Sequence, residues 1–200
     1  MKRARILILG NDPQINRIDF SRLSKDIITL GVNRIWLKHI PNYLFFNDYD
    51  IVDELNASPE ILEKVKAKST IFSSDWLHQA KKPIPPWIKV YDRTAKYHFP
   101  DSVTTGMQLF SRYFVERNRC TFYIAGTSLT WQEPSHFWKE LDYKSTNQHG
   151  DKWYSPRFER INHNFKQLAN TGFEMISVNP NSILNKMMRY ENIENLYQKS

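Results

Sequence analysis

The sequence predicts an α/β fold, in which one Rossmann-like domain over residues 1–200 holds a mostly parallel central sheet flanked by helices. The first observation is the run of four branched apolar residues at 6–9, which stops at Gly10-Asn11. Strands of parallel sheets are covered on both faces, so they appear as continuous apolar runs without alternation. The second observation is that similar runs recur along the chain between helical patterns, as βα units require.

Each remaining element has its own signal in the chain. Pro59 after Ser58 suits the first turn of a helix over 59–68. Three prolines in 83–86 exclude a helix interior and predict a loop. Further strands are predicted at 27–32, 43–46, 70–72, 87–91, 121–125 and 173–178, and further helices at 50–55, 104–115, 156–170 and, peripherally, 190–200.

Residues 127–154 have no sustained period and are rich in Trp, His, Asn, Ser and Gly. A long irregular segment inside a compact domain is usually a lid or a binding loop. Trp131, Trp138 and Trp153 argue against disorder. We therefore predict that this segment is a lid or an acceptor loop.

Composition limits the classes of partner and compartment. The net charge is +7, but the cations are spread along the chain, so charge favours an anionic partner without choosing one. The single cysteine, Cys120, excludes an internal disulfide framework. Met1-Lys2-Arg3 precedes a run of only four strong apolar residues, at 6–9. Such a run is too short for a signal peptide or a membrane span. These features predict a cytoplasmic protein.

Asparagines follow four of the predicted strands. The carboxyl ends of parallel strands meet at one edge of the sheet, where ligands bind. An amide offers both a donor and an acceptor, which suits sugar hydroxyls, a pyrimidine edge and phosphate oxygens, although asparagine is also common in ordinary turns. The predicted ligand-binding amides are those of Asn11, Asn33, Asn47 and Asn179.

Two further motifs have the form of ligand sites. Thr104-Thr105-Gly106 precedes a helical stripe, so it predicts either an anion site at a helix start or an ordinary helix cap. Asp48-Tyr-Asp50 has the D-x-D form that could hold Mg²⁺ or Mn²⁺ on a donor diphosphate, but two acidic residues around a tyrosine occur often by chance. The sequence therefore favours a site without a bound metal, with Mg²⁺ or Mn²⁺ at Asp48 and Asp50 as the alternative.

Several of these motifs together resemble the bacterial sialyltransferases that extend lipooligosaccharides. Gly10-Asn11-x-Pro13 followed by Ile18-Asp19-Phe20-Ser21-Arg22-Leu23 is similar to the start of that family. The asparagines at 33 and 47 match asparagines after its second and third strands. Further matches in the same order are Thr104-Thr105-Gly106, Phe122-Tyr-Ile-Ala-Gly126 and Val178-Asn-Pro180-Asn181-Ser182.

The resemblance implies a single-domain variant of the glycosyltransferase A fold that transfers a sugar from a nucleotide donor with inversion and without metal. By analogy the donor phosphate and nucleotide would contact Asn11 and Asn33 beside Gly10 and Gly126. The transferred sugar would contact Asn47. Thr104 and Thr105 would contact the donor, and the turn Asn181-Ser182 would help to hold the base or ribose.

The chain also departs from the family pattern. Gln14 replaces a serine, and Thr127-Ser128-Leu129-Thr130-Trp131 lacks the tyrosine that the family has after its Gly126-like strand end. These departures leave the identity of the donor sugar open.

A general base must remove a proton from the acceptor hydroxyl, and histidine has the appropriate intrinsic pKa. His149, beside Asp151, best fits the location of the family's histidine, with His136 as the second choice. Arg157 and Tyr154 are candidates for pairing with the departing phosphate.

The resulting prediction is a glycosyltransferase that uses a CMP- or UDP-linked sugar and acts on a surface glycan. Two alternatives stay open. The +7 charge and the tryptophan-rich segment could hold DNA with a hydroxymethylated base as acceptor. The fold could also serve a non-catalytic module that binds nucleic acid or carbohydrate. The sequence does not indicate an oligomeric state.

Overall fold

The structure, a computed structural model, describes residues 3–93, 101–129, 136–141 and 151–198. The strands are β1 (Ala4–Leu9), β2 (Ile27–Val32), β3 (Tyr43–Phe45), β4 (Thr70–Ser74), β5 (Lys89–Tyr91), β6 (Cys120–Ala125), β7 (Met175–Ser177) and β8 (Arg189–Tyr190). The α-helices are α1 (Tyr49–Asn56), α2 (Pro59–Lys68), α3 (Ser102–Tyr113) and α4 (Asp151–Asn170).

The strands of the described residues form one sheet of eight, in the order β5-β4-β3-β2-β1-β6-β7-β8. Every neighbouring pair is parallel, which confirms the predicted fold class. The chain builds outward from β1 to β5 and then returns to place β6 on the other side of β1. The strand order therefore reverses between β1 and β6, and a crevice for ligands is expected at the carboxyl ends of these two strands.

Both faces of the sheet are covered, which explains why β1 lacks alternation. Leu7 and Leu9 pack on one face against residues of α1 and α2. Ile6 and Ile8 pack on the other face against residues of α3 and α4. All four side chains are fully buried, so a polar residue at any of these positions would be placed in the core.

The C-terminal half differs from the predicted elements in two places. Helix α4 begins at Asp151 and carries Pro156 in its interior, whereas the sequence predicted a helix that begins at Pro156. The irregular segment is therefore shorter than predicted, because residues 151–154 are helical. The tail is not a peripheral helix: it forms β8, a 3-10 turn at Ile193–Leu196 and an antiparallel bridge between Tyr197 and Leu23.

No helix among the described residues combines the length and the apolar character needed to cross a membrane.

Candidate functional site

Two glycines bring the ends of β1 and β6 into direct backbone contact at the point where the strand order reverses. The amide N–H of Gly10 donates to Ala125 O at 2.9 Å, and that of Asp12 donates to Gly126 O at 2.9 Å. A Cβ on Gly10 would collide with the carbonyl of Gly126. Gly126 itself has φ +63, a conformation that favours glycine. These positions therefore require glycine, and they form the floor of the crevice.

Gln14 joins this floor to the neighbouring strand β7. Its Nε2 donates to Val178 O at 2.8 Å, and its Oε1 accepts from the amide N–H of Gly126 at 2.8 Å. The Asp12 side chain accepts from the Gln14 amide at 2.9 Å and so caps the 3-10 turn that carries Gln14. The departure from the family's serine thus has a structural role, because one carboxamide links the ends of β1, β6 and β7.

Asn11 and Asn47 each carry a buried amide atom without a hydrogen-bond partner among the described residues. For Asn11 this atom is the acceptor Oδ1, and for Asn47 it is the donor Nδ2. Asn47 is only 5% exposed, and its Oδ1 accepts from the Ser74 hydroxyl at 2.6 Å, which fixes the orientation of the amide. Unlike the other unpartnered amide atoms of the described residues, these two lie at the carboxyl ends of β1 and β3, where a ligand is the expected partner.

Asn33 lies between these two residues, at the carboxyl end of β2. It adopts the left-handed conformation with φ 52, which asparagine tolerates better than most residues. Its backbone N–H donates to Phe45 O at 2.8 Å, and its Oδ1 accepts from the Ser102 hydroxyl at 3.1 Å. Because β1, β2 and β3 are adjacent, the predicted asparagines at 11, 33 and 47 share one edge of the sheet.

The fourth strand-end asparagine and the turn after it serve the fold. Asn179 is buried, and its Oδ1 accepts from the Asn181 amide at 3.1 Å, which is the ordinary turn role of asparagine. The Ser182 hydroxyl donates to Thr127 O at 2.7 Å and accepts from the Leu184 amide at 3.1 Å. Of the predicted base-holding pair, Ser182 therefore holds the turn on β6, and Asn181 is the exposed member.

The start of α3 is already capped by a carboxyl group of the chain itself. Asp101 caps this helix: its Oδ1 accepts from the Thr104 amide at 2.8 Å, and its Oδ2 accepts from the Thr104 hydroxyl and from Asn164 Nδ2. Burial raises the pKa of Asp101, and hydrogen bonds from Thr104 and Asn164 oppose that rise. The hydroxyl of Thr104 thus takes part in a helix cap. Thr105 follows it as a buried residue.

Residues 136–141 belonged to the predicted lid, and they pack against the β1 turn. The Phe137 amide donates to Asn11 O at 2.9 Å, and Phe137 and Trp138 are buried in the core. The ring of His136 lies 4.2 Å from that of Trp138. Burial, with smaller contributions from Lys139 and Arg34, lowers the pKa of His136 to about 3. This histidine is therefore neutral at physiological pH.

The D-x-D motif contacts a buried arginine. Arg34 is 4% exposed, its Nη2 donates to Asp50 Oδ2 at 2.7 Å, and its Nε donates to Glu54 Oε2 at 2.8 Å. Burial and the nearby Asp50 raise the pKa of Asp48. A guanidinium bonded to Asp50 would repel a divalent cation at the motif. The described residues contain no group of three or more His, Cys, Asp or Glu side chains placed to hold a metal.

A cleft of about 380 Å³ opens beside Asn47, between the carboxyl ends of β3 and β4, and we call it the β3–β4 cleft. The sequence did not single out three residues that line it, Tyr49, Trp76 and Gln79. The signal available in the sequence was an aromatic residue a few positions after each of these two strands, Tyr49 after β3 and Trp76 after β4. The polar and aromatic side chains that line the cleft are Asn47, Asp48, Tyr49, Asp50, Trp76 and Gln79.

Two of the three predicted catalytic residues belong to α4. Tyr154 falls near the start of this helix, and Arg157 follows on it as a half-buried residue. His149 is outside the described residues. Their roles stay predictions.

No family model matches the sequence, and no curated protein matches it. Solved structures of sialyltransferases do match. A variant of the sialyltransferase Cst-II in complex with CMP has a TM-score of 0.60 and 13% identity, over 100% of this chain and 89% of that one. Cst-II in complex with a trisaccharide acceptor and CMP has a TM-score of 0.57 and 12% identity, over 98% and 88%.

The monofunctional α-2,3-sialyltransferase Cst-I from Campylobacter jejuni has a TM-score of 0.51 and 15% identity, over 99% of this chain and 83% of its own. These identities are low, so the likeness concerns the fold. It extends over nearly the whole chain, as the order of the sequence motifs implied. The chain therefore has the fold of the bacterial sialyltransferases that its motifs resemble.

Proposed function

We propose that this protein is a glycosyltransferase that moves a sugar from a nucleotide-sugar donor to a hydroxyl of a glycan acceptor. The observation that carries the proposal is the row of asparagines at 11, 33 and 47 on adjacent strands. Two of them hold buried amide atoms without a partner among the described residues. Each such atom costs about 1–3 kcal/mol in the free protein, and a polar ligand would remove that cost.

The order of the strands suggests the order of the substrates. Neighbouring strands are about 4.8 Å apart, so Asn11 on β1 and Asn47 on β3 are separated by roughly 10 Å along the edge. That span fits a nucleotide at the glycine crevice, where a ribose hydroxyl or the amino group of the base can donate to Asn11 Oδ1, and its sugar at Asn47. The acceptor then lies in the β3–β4 cleft, beyond the sugar. The fold neighbours that carry CMP and a trisaccharide acceptor support this choice of ligands.

The transfer itself requires a base for the acceptor hydroxyl and partners for the leaving phosphate. In an inverting reaction the acceptor oxygen attacks the anomeric carbon, the bond to the phosphate oxygen breaks, and the base takes the proton. We assign the base to His149 and the pairing with phosphate to Arg157 and Tyr154. His136 is a poor base because its pKa is lowered to about 3, but its neutral ring can still donate a hydrogen bond.

We also propose that the reaction needs no metal. Arg34 neutralises part of the D-x-D motif that would otherwise hold Mg²⁺ or Mn²⁺. A donor with one phosphate, such as a CMP-sugar, has less need of a bridging cation than a diphosphate donor. We therefore favour a CMP-linked sugar over a UDP-linked one.

Donor hydrolysis tests the proposal directly. The protein would be incubated with CMP- and UDP-sugars, with and without EDTA, and release of the nucleotide would be followed by chromatography. We expect CMP release that survives EDTA and that falls at least tenfold in Asn11→Ala, while Asn118→Ala, an exposed asparagine just before β6, behaves like the unmodified protein. Absence of nucleotide release from every donor would contradict the proposal.

A further inference from the structure

We infer that the β3–β4 cleft accepts uncharged, hydroxyl-rich glycans and rejects acceptors that carry a carboxylate at this position. The inference rests on the proposed function, because it names the class of acceptor for the same site. It depends on the charges and the ring surfaces of the cleft wall.

Among the described residues around the cleft, carboxylates outnumber cations. Asp48 and Asp50 line the cleft, and the Arg34 guanidinium that is bonded to Asp50 is also bonded to Glu54. The local sum of these four charges is negative. An acidic sugar would therefore bring a further carboxylate into a site that is already negative.

Two other cations touch the cleft walls, and each is already paired. Lys82 Nζ lies 4.8 Å from the ring centroid of Tyr49 and donates to Asp53 at 2.8 Å. Arg93 lies over the ring of Trp76, with its Cζ 4.7 Å from the centroid, and its Nε donates to Asp75 at 2.5 Å. Because each cation is matched by its own carboxylate, these two pairs leave the local charge of the cleft negative.

The remaining groups of the wall suit a neutral pyranose. The Tyr49 hydroxyl donates to Pro83 O, so the ring is fixed in place. Fixed aromatic rings offer apolar surface for the C–H face of a sugar at little cost in side-chain entropy. Asp48 can accept hydrogen bonds from sugar hydroxyls, and Gln79 can both donate and accept.

A matched pair of acceptors tests the inference, since an aryl β-galactoside and the corresponding aryl β-galacturonide differ only by a carboxylate at C6. Binding of each would be measured by saturation-transfer NMR, and transfer would be measured with the donor that the hydrolysis assay identifies. We expect the galactoside to bind, and its kcat/KM to exceed that of the galacturonide at least tenfold, which corresponds to about 1.4 kcal/mol.

Asp48→Asn should reduce that ratio at least threefold, because the substitution keeps the size of the side chain and removes the nearest charge. Glu60→Gln, which removes one charge from the exposed first turn of α2, should leave the ratio unchanged. Equal use of the two acceptors, or a ratio that Asp48→Asn does not alter, would overturn the inference while leaving the transferase proposal intact. If no donor is hydrolysed, the transferase proposal fails, and the NMR comparison alone decides whether the cleft prefers neutral sugars.

Discussion

At the scale of single residues, the site is indicated by buried polar atoms that have no hydrogen-bond partner among the described residues. The sequence predicted which asparagines would gather, because each follows an apolar strand. It could not predict that the amides of Asn11 and Asn47 would keep unpartnered atoms while Asn179 closes its own turn. That distinction depends on neighbours such as Ser74, which come from other strands.

Asn47→Ala should separate activity from stability. The substitution loses the hydrogen bond from Ser74, worth about 1 kcal/mol, but it also removes a buried donor that has no partner among the described residues. We expect the free energy of unfolding in urea to change by less than about 1 kcal/mol, whereas kcat/KM for transfer falls at least tenfold. A large loss of stability with unchanged kcat/KM would assign Asn47 to the fold alone.

Two half-buried histidines should make the protein sensitive to acid. Burial, reinforced by Lys68, lowers the pKa of His39 to about 4, and that of His136 falls to about 3. A histidine whose pKa is lower in the folded than in the unfolded state contributes stability that is complete above about pH 6.5 and is lost as the pH falls toward the folded pKa. The free energy of unfolding should therefore decline from pH 6.5 to pH 4.5.

His39→Phe tests the cause, since phenylalanine can keep the stacked contact that His39 makes with Phe20, 4.3 Å between ring centroids. The pH dependence of unfolding should become shallower in this variant, by up to about 1.4 kcal/mol per pH unit. His78→Gln replaces an exposed histidine and should leave the slope unchanged. Identical slopes for the three proteins would contradict the assignment to His39.

At the scale of elements, local patterns predicted strands and helices well where one signal dominated. Helix α2 has the bounds that Pro59 and its apolar stripe predicted. Strand β4 extends past its apolar residues, because the Ser73 hydroxyl donates to Phe46 O at 2.5 Å and so becomes acceptable in the core. Helix α4 contains Pro156 in its interior, although a proline usually marks the first turn of a helix.

Gln14→Met should loosen the contact between elements that forms the crevice floor. Methionine fills a similar volume but forms neither hydrogen bond. The Gly126 N–H and Val178 O would therefore each lose their bond to Gln14. Each lost partner costs about 1–3 kcal/mol where water cannot replace it, so we expect a loss of about 2–4 kcal/mol of stability in urea. Gln108→Met on α3 serves as the control. An unchanged midpoint for Gln14→Met would show that the carboxamide does not hold these strands together.

At the scale of the whole molecule, the sequence predicted a parallel sheet with covered faces, and the structure confirms it. The order of the strands could not be predicted from the sequence. Periodicity indicates which face of the sheet a residue lies on, but it does not indicate which strands are neighbours. The β3–β4 cleft escaped prediction for the same reason: Tyr49 and Trp76 follow different strands and meet only through the pairing of β3 with β4. The proposed acceptor site depends on that pairing.

Titration calorimetry with CMP tests most directly whether the asparagine row is a nucleotide-sugar site. We predict that the unmodified protein binds one CMP per chain, that Asn11→Ala weakens the affinity at least tenfold, and that Asn118→Ala binds as the unmodified protein does. A tenfold loss corresponds to about 1.4 kcal/mol, the size expected for one well-placed hydrogen bond to a buried amide. Equal affinities for the three proteins, or no heat of binding with any of them, would contradict the account.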